Sequence, residues 1–204
     1  MGKEIELKYL LKSSEQIDEL LSHPIILGQI AGPLRVINMD SIYYDTSDGA
    51  LSMARISLRR RRENSDTVFT VKTPKVSDGA FSARGEWQVN ARSLDDALPL
   101  LKQAGAPQDL FDILENRQLV PRARTTFVRK TVPLKLGAEL CLDSGFLGVD
   151  AFAEMELELT HGNVEELQAF GEKCRSAFSL TPESRSKYHR AKLSLVAKSN
   201  NTKE

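Results

Sequence analysis

The chain has 204 residues, room for one large domain or two small ones, with 28 Lys and Arg balancing 28 Asp and Glu. A net charge of zero argues against a general nucleic-acid binder, which carries a basic excess. No apolar run is long enough for a membrane span or the core of a secretory leader, so a cytoplasmic protein with no nucleic-acid or membrane partner is expected.

The first element, Lys3-Glu4-Ile5-Glu6-Leu7-Lys8-Tyr9, alternates strictly and predicts a strand over residues 3–11. Ile5, Leu7 and Tyr9 share one face; Glu4, Glu6 and Lys8 share the other. A helix is expected over 13–23, with Ser13 and Gln16 as a capping box. Residues 25–37 are apolar and glycine-interrupted, which suggests a strand with loops. Strands are expected over 38–45, 55–63, 67–73 and 81–91, with a turn or short helix over 46–53 and a turn at Asp78-Gly79. The period then changes. Leu94, Ala97, Leu98 and Leu101 recur at helical spacing behind Ser93, a candidate cap, and a second helix is expected over 109–115. Strands resume over 123–133, 139–144 and 152–160. Helices over 164–178 and 186–197 close the domain, leaving residues 198–204 as a flexible tail. Roughly eight strands with charge-bearing faces suggest a closed barrel with a wet lumen.

Charge is segregated along these strands. Ala153-Glu154-Met155-Glu156-Leu157-Glu158-Leu159 repeats the pattern of the first strand and lines up three carboxylates. Carboxylates stacked in this way repel unless they are solvated or hold a cation, and their hard oxygens suit Mg²⁺ or Mn²⁺. Opposite in sign are Arg59 and Arg61, which share a face with Arg55 and Ser57; Thr70 with Lys72; Arg84 with Glu86 and Gln88; and Arg122 with Arg124. If these polar faces point inward, they line one cavity for a highly charged anion and its metal ions, with Arg forks and Lys point charges on phosphate oxygens. Cys141 and Cys174 lack metal-type spacing, sit among apolar neighbours and are expected to be reduced residues of the core. His23, His161 and His189 are scattered without ligand or triad spacing, and the glycines form no Walker or Rossmann loop.

Taken in order, these motifs resemble the CYTH family, the triphosphate tunnel metalloenzymes. The opening Glu-x-Glu-x-Lys is matched by Glu4, Glu6 and Lys8, the Arg-x-Arg strand by Arg59 and Arg61, and the later lysine by Lys72. Arg84 and Glu86 match an Arg/Glu strand, Leu142-Asp143 a Leu-Asp pair, and Glu154 and Glu156 the following Glu-x-Glu. Ser186-Lys187-Tyr188 matches the closing motif, with Arg190 beyond it. The match spans residues 3–190. The resemblance implies an α+β protein: a closed eight-stranded antiparallel barrel with flanking helices, as a single domain over residues 1–197. It also implies metal-dependent hydrolysis of a small linear triphosphate, inorganic tripolyphosphate first. Alternatives within the family are an adenylate cyclase and a thiamine triphosphatase; outside it stands a non-catalytic polyphosphate binder. Expected metal ligands for Mg²⁺ or Mn²⁺ are Glu4, Glu6, Asp143, Glu154, Glu156 and Glu158. Expected substrate-binding residues are Lys8, Arg59, Arg61, Lys72, Arg84, Arg124, Lys187 and Arg190. Some members use a Lys–Tyr pair in catalysis, for which Tyr43 is a candidate. Where their strand reads Lys-x-Arg this one reads Arg122-Ala123-Arg124, and arginine cannot act as a base. The catalytic role is therefore unassigned, and Arg129, on the face opposite Arg124, enters the site only if a bulge intervenes.

Overall fold

The structure, a computed structural model, describes the backbone of residues 2–201 and the side chains of 2–198. Eight antiparallel strands close on themselves in the order β1 (Gly2–Leu10), β9 (Asp150–Leu159), β8 (Ala138–Leu147), β7 (Leu119–Leu134), β2 (Arg35–Thr46), β3 (Ser57–Glu63), β4 (Asp66–Lys72) and β6 (Phe81–Asn90), which returns to β1. β1 makes the closure by changing partners along its length. Residues 2–7 pair with β6, and residues 6–10 pair with β9. Two short strands, β5 (Val76–Asp78) and β10 (Thr181–Pro182), add to β6 and β1 respectively.

The apolar half of each strand faces outward, beneath helices. Leu7, Tyr9, Leu140, Met155 and Leu157 pack against α1 (Gln16–Ser22), α2 (Pro24–Leu27) and α6 (Val164–Phe178). On the other side Leu58, Phe69, Val71 and Trp87 meet α3 (Ala50–Met53), α4 (Leu94–Gln103) and α5 (Gln108–Leu114). Full burial of each such side chain stabilises the fold by about 1.5–3 kcal/mol. With both apolar shells outside the wall, the alternate positions line the lumen. α7 (Lys187–Asn201) covers one end of the barrel, where Tyr188 and Ala191 pack with Tyr43, Ala123 and Leu147. Among the described residues no helix is long and apolar enough to cross a membrane.

Several elements differ from the sequence reading. The helix expected over 13–23 starts at Gln16, and no capping box forms. The buried Gln16 side chain accepts from the Lys12 N–H (2.9 Å) and donates to the Phe178 carbonyl (2.9 Å), a long-range tie instead. In the 25–37 segment Pro24 starts a helical turn, a position that suits its fixed φ, and the strand begins only at Arg35. The strand expected from Arg55 begins at Ser57, because Arg55 sits in the left-handed region at φ 56°. β7 starts at Leu119, ahead of its expected onset, and α7 runs on through Asn201; residues 202–204 of the expected tail lie outside the described residues. Ser93 caps its helix as anticipated, its side chain accepting from the Asp96 N–H, and the Asn163 side chain, which the sequence reading did not single out, accepts from the Glu165 and Glu166 N–H groups.

Candidate active site in the barrel lumen

The lumen holds a cavity of about 250 Å³ with charged walls of opposite character. β1, β8 and β9 form the acidic wall. Their inward positions bring Asp143, Glu154 and Glu156 together, and Glu6, Glu156 and Glu158 together. In each group one oxygen per residue lies within 4.8 Å of the others. Glu156 belongs to both. Three cations are threaded among them. Lys8 Nζ lies 3.1 Å from Glu6 and 3.3 Å from Glu156. Lys187 Nζ lies 2.9 Å from Asp143 and 3.0 Å from Glu156, and also pairs with Glu154. Arg129 forks onto Asp143 with two contacts of 2.8 Å and reaches Glu156 at 2.6 Å and Glu158 at 3.1 Å.

The electrostatics of this wall are divided. Burial drives the carboxyl of Glu156 upward, but Lys187, Lys8 and Arg129 outweigh it and hold Glu156 well below the usual carboxylate range. For Glu154 burial wins, with the Glu156 charge adding to it, and its affinity for a proton rises. Burial also opposes the charge on Lys187, yet Asp143, Glu154 and Glu156 raise its pKa well above the ordinary value. Hard oxygens crowded in this way fit Mg²⁺ or Mn²⁺, whose charge would offset the mutual repulsion of Glu154 and Glu156.

The opposite wall, β3, β4 and β6, is basic. Lys72 Nζ bonds Glu4 at 2.6 Å and lies 3.3 Å from Glu86; Arg84 Nε bonds Glu4 at 2.5 Å. Burial alone would raise the Glu4 carboxyl, but these two cations lower it far beneath its usual range. Arg59 touches Thr70 Oγ1 at 3.3 Å and, among the described residues, has no carboxylate within ion-pair distance. Arg61 pairs with Glu63. Burial and the neighbouring Arg59 push the Arg61 guanidinium down to about 10, still charged at neutral pH. The Nε–H groups of both arginines are buried without a hydrogen-bond partner. An unmade buried bond of this kind costs about 1–3 kcal/mol, which a ligand oxygen would recover.

Between the walls, Tyr43 projects from β2 and is buried. Desolvation would raise its phenol, but the charges of Arg59 and Lys187 lower it on balance, helped by a hydrogen bond from Arg59.

Of the expected binding residues, Lys8, Arg59, Arg61, Lys72, Arg84 and Lys187 line this cavity. Two do not. Arg124 points outward and forks onto Asp40 on the barrel exterior, with contacts of 2.9 Å. Arg190 does not line the cavity; it pairs with Glu154 from the α7 side, its guanidinium 5.6 Å from the Phe152 ring centroid. Of the expected metal ligands, Glu4 belongs to neither carboxylate group and is engaged by Lys72 and Arg84, while the other five form the two groups. Asp143 and Glu154 lie fully buried, tied to the cavity through Lys187.

Arg129 is the residue that sequence reasoning left outside. A bulge is present at Arg122, which has no β2 partner because Tyr43 pairs with Ala123 and Tyr44 with Pro121; it precedes both residues, so Arg129 and Arg124 stay on opposite faces and what is reversed is the expected placing of Arg124 in the lumen. Arg122 turns its guanidinium onto the carbonyls of Thr46 (2.7 Å) and Ser47 (2.5 Å). From Ala123 onward the inward set is Ala123, Thr125, Phe127, Arg129 and Thr131, so Arg129 is inside and Arg124 outside. Cys141 also differs from its expected surroundings. It is free and buried, but it contacts Thr131 Oγ1 (3.5 Å) between Glu139 and Asp143 rather than sitting in an apolar shell.

Comparison with known structures finds the same architecture elsewhere. A protein from Hippeastrum, HpAC1, provisionally named an adenylyl cyclase and described as having a dominant triphosphatase activity, superposes with a TM-score of 0.65 at 19% identity, covering 91% of this chain and 93% of that one. A Bacillus halodurans protein provisionally named an adenylate cyclase gives 0.61 at 25% identity over 93% and 98% of the two chains. A protein of Pyrococcus horikoshii gives 0.57 at 20% identity over 90% and 94%. Residues 2–191 match the CYTH domain, the whole of the barrel and the start of its covering helix, and the chain belongs to the CYTH family.

Proposed function

We propose that this chain hydrolyses a small linear triphosphate, inorganic tripolyphosphate before any nucleotide, to diphosphate and phosphate with Mg²⁺ or Mn²⁺. The observation that carries the reading is the pair of buried Arg59 and Arg61 Nε–H groups without partners, facing a wall of clustered carboxylates. A simple anion binder gains nothing from five clustered acids, and a simple metal binder gains nothing from unsatisfied guanidinium groups. The dominant triphosphatase activity described for HpAC1 points the same way.

In this reading Arg59, Arg61, Lys72 and Arg84 align and neutralise the polyanion, giving charge-assisted bonds that strengthen as charge shifts in the transition state. Glu6, Asp143, Glu154, Glu156 and Glu158 hold the metal ions. When bound, such ions polarise the scissile phosphoryl group and lower the pKa of an attacking water. Lys187 serves as a cation and not as a base, since three carboxylates stabilise its charged form. Tyr43 orients Arg59. The free cysteines suit a cytoplasmic setting.

A release assay with tripolyphosphate, ATP and thiamine triphosphate, each with Mg²⁺, Mn²⁺ or EDTA, tests the proposal. Tripolyphosphate should exceed ATP by at least about tenfold in kcat/KM, about 1.4 kcal/mol, because the cavity wall offers little to a base. Cyclic AMP as the main product from ATP would replace this reading with the cyclase one.

A further inference from the structure

Beside the lumen lies a larger cavity, about 490 Å³, between the end of β3, the β4–β5 connection and the first turns of α7. Its lining contains Arg55, Lys75, Arg84, Arg185 and Lys192 with no Asp or Glu. That composition separates it from the lumen, where carboxylates and cations alternate. The two spaces adjoin, since Ser57, Arg84, Ser186 and Tyr188 line both.

We propose that this second cavity is a phosphate-binding site that needs no metal ion, taking phosphate groups beyond those held in the lumen. The inference extends the triphosphatase reading. Without carboxylates there is nothing to hold a divalent ion, so the anion must be matched by side-chain cations and hydroxyls alone. Hydroxyls are at hand in Ser52, Ser57, Thr73 and Ser77. Several of the cations are poorly neutralised. Among the described residues Lys192 bonds only the Ser52 hydroxyl (3.1 Å), and it rests over the Tyr188 ring (5.3 Å). Lys75 donates to the Ser184 carbonyl. Arg55 occupies a left-handed backbone conformation uncommon for residues other than glycine and asparagine, at the rim of the same cavity. Burial, with Lys8 and Arg84 nearby, brings the Lys75 amine down to about 8, and Glu6 and Glu183 offset this only in part.

The phosphate has two possible sources: the distal units of a linear polyphosphate whose first three units sit in the lumen, or a separate phosphate or diphosphate ion. A variant carrying Lys192→Gln and Arg55→Asn tests both, with asparagine chosen because it tolerates the left-handed region. The first arm measures KM for tripolyphosphate and for a longer linear polyphosphate. The second measures binding of inorganic diphosphate by calorimetry in EDTA, which requires no turnover. If distal units occupy the cavity, the variant raises KM for the longer chain by at least about threefold and leaves that for tripolyphosphate unchanged, as for partly exposed charge pairs. If a separate ion occupies it, the variant weakens diphosphate binding in EDTA by a similar factor and the two KM values move together. Lys192→Arg should retain the wild-type behaviour in either case. No change in either arm, in a variant with wild-type melting, overturns the proposal. A wild type that binds diphosphate in EDTA but does not turn over tripolyphosphate would instead refute the triphosphatase reading and leave this site standing.

Discussion

The phenol rings of Tyr43 and Tyr188 lie stacked, with centroids 4.8 Å apart and planes 11° from parallel. One belongs to the barrel wall and the other to the covering helix, and Tyr188 Oη lies 3.3 Å from Ser52 Oγ. The stack, worth about 0.5–1.5 kcal/mol beyond its buried area, fastens α7 over the lumen beside Arg59. Tyr43→Phe keeps the ring and removes the hydroxyl that Arg59 bonds. Turnover of tripolyphosphate should fall about tenfold with little change in melting temperature. Tyr43→Ala should lower melting as well, by the roughly 3–5 kcal/mol of a large aromatic deletion. Equal melting losses in the two variants would show that the hydroxyl holds the fold rather than the substrate cation.

Glu156 and Glu4 separate metal binding from cation positioning. Glu156 belongs to both carboxylate groups, whereas Glu4 serves Lys72 and Arg84. Glu156→Gln should raise the Mg²⁺ or Mn²⁺ concentration for half-maximal turnover by more than about tenfold. Glu4→Gln should leave that concentration close to wild type and raise KM for the triphosphate. Metal titrations of activity at saturating and limiting substrate distinguish the two outcomes, and a reversed pattern would move the metal site to the Glu4 side.

Arg129 and Arg124 test the inward face of β7. Arg129→Ala leaves Glu158 without its ion-pair partner and Asp143 and Glu156 with lysines alone, a loss of about 3–5 kcal/mol for a broken buried pair. Millimolar Mg²⁺ should restore part of that melting loss, since a divalent cation can answer the same carboxylates. Arg124→Ala removes an exposed pair with Asp40 and should cost about 0–1 kcal/mol and no activity. Denaturant melts with and without Mg²⁺ provide the check; an activity loss at Arg124 equal to that at Arg129 would contradict the observed register.

The same alternation explains what could be read from the sequence. On β1, β3 and β9 charged residues alternate with Leu7 and Tyr9, with Leu58, and with Met155 and Leu157, so the period alone put Glu6 with Lys8, Arg59 with Arg61, and Glu154 with Glu156 on one face each, without saying that the face looked inward. β7 defeats the rule twice. Its inward face carries Ala123 and Phe127 because α7 and Lys187 fill that end of the barrel, with Lys187 Nζ 5.4 Å from the Phe127 ring centroid. Its outward face carries Arg124 and Lys130 because Asp40 and Asp18 answer them at the surface. The Arg122 bulge is set by pairing with β2 and has no local sign. Gln16 misled for a similar reason: its partner, Phe178, lies on a helix far along the chain.

Lys75 gives a pH signature. Its folded-state pKa of about 8 is lower than that of an unfolded lysine, about 10.4, because burial and the nearby Lys8 and Arg84 disfavour the charge, partly offset by Glu6 and Glu183. Between those values the unfolded chain binds more protons, so stability must rise with pH across that window. Relative to Lys75→Gln, the wild type should gain melting temperature as pH increases from about 8 towards 10, by an amount reduced by the partial exposure of the amine. Parallel melting curves over that range for the two proteins would contradict the depressed value.

The double pairing of β1 sets the order in which the molecule is made. β1 can pair with β6 once residues near 90 have been made, but Glu6 meets Glu158 only after β9 is complete. Until then Glu6 and Lys8 wait without Glu156 and Lys187, and the sheet has two free edges. Closure between the most distant segments of the chain carries the greatest loop cost, and such topologies fold slowly. The charged lumen is complete only when both pairings of β1 are made, and a barrel open at β9 exposes both a sheet edge and half of its ionic network.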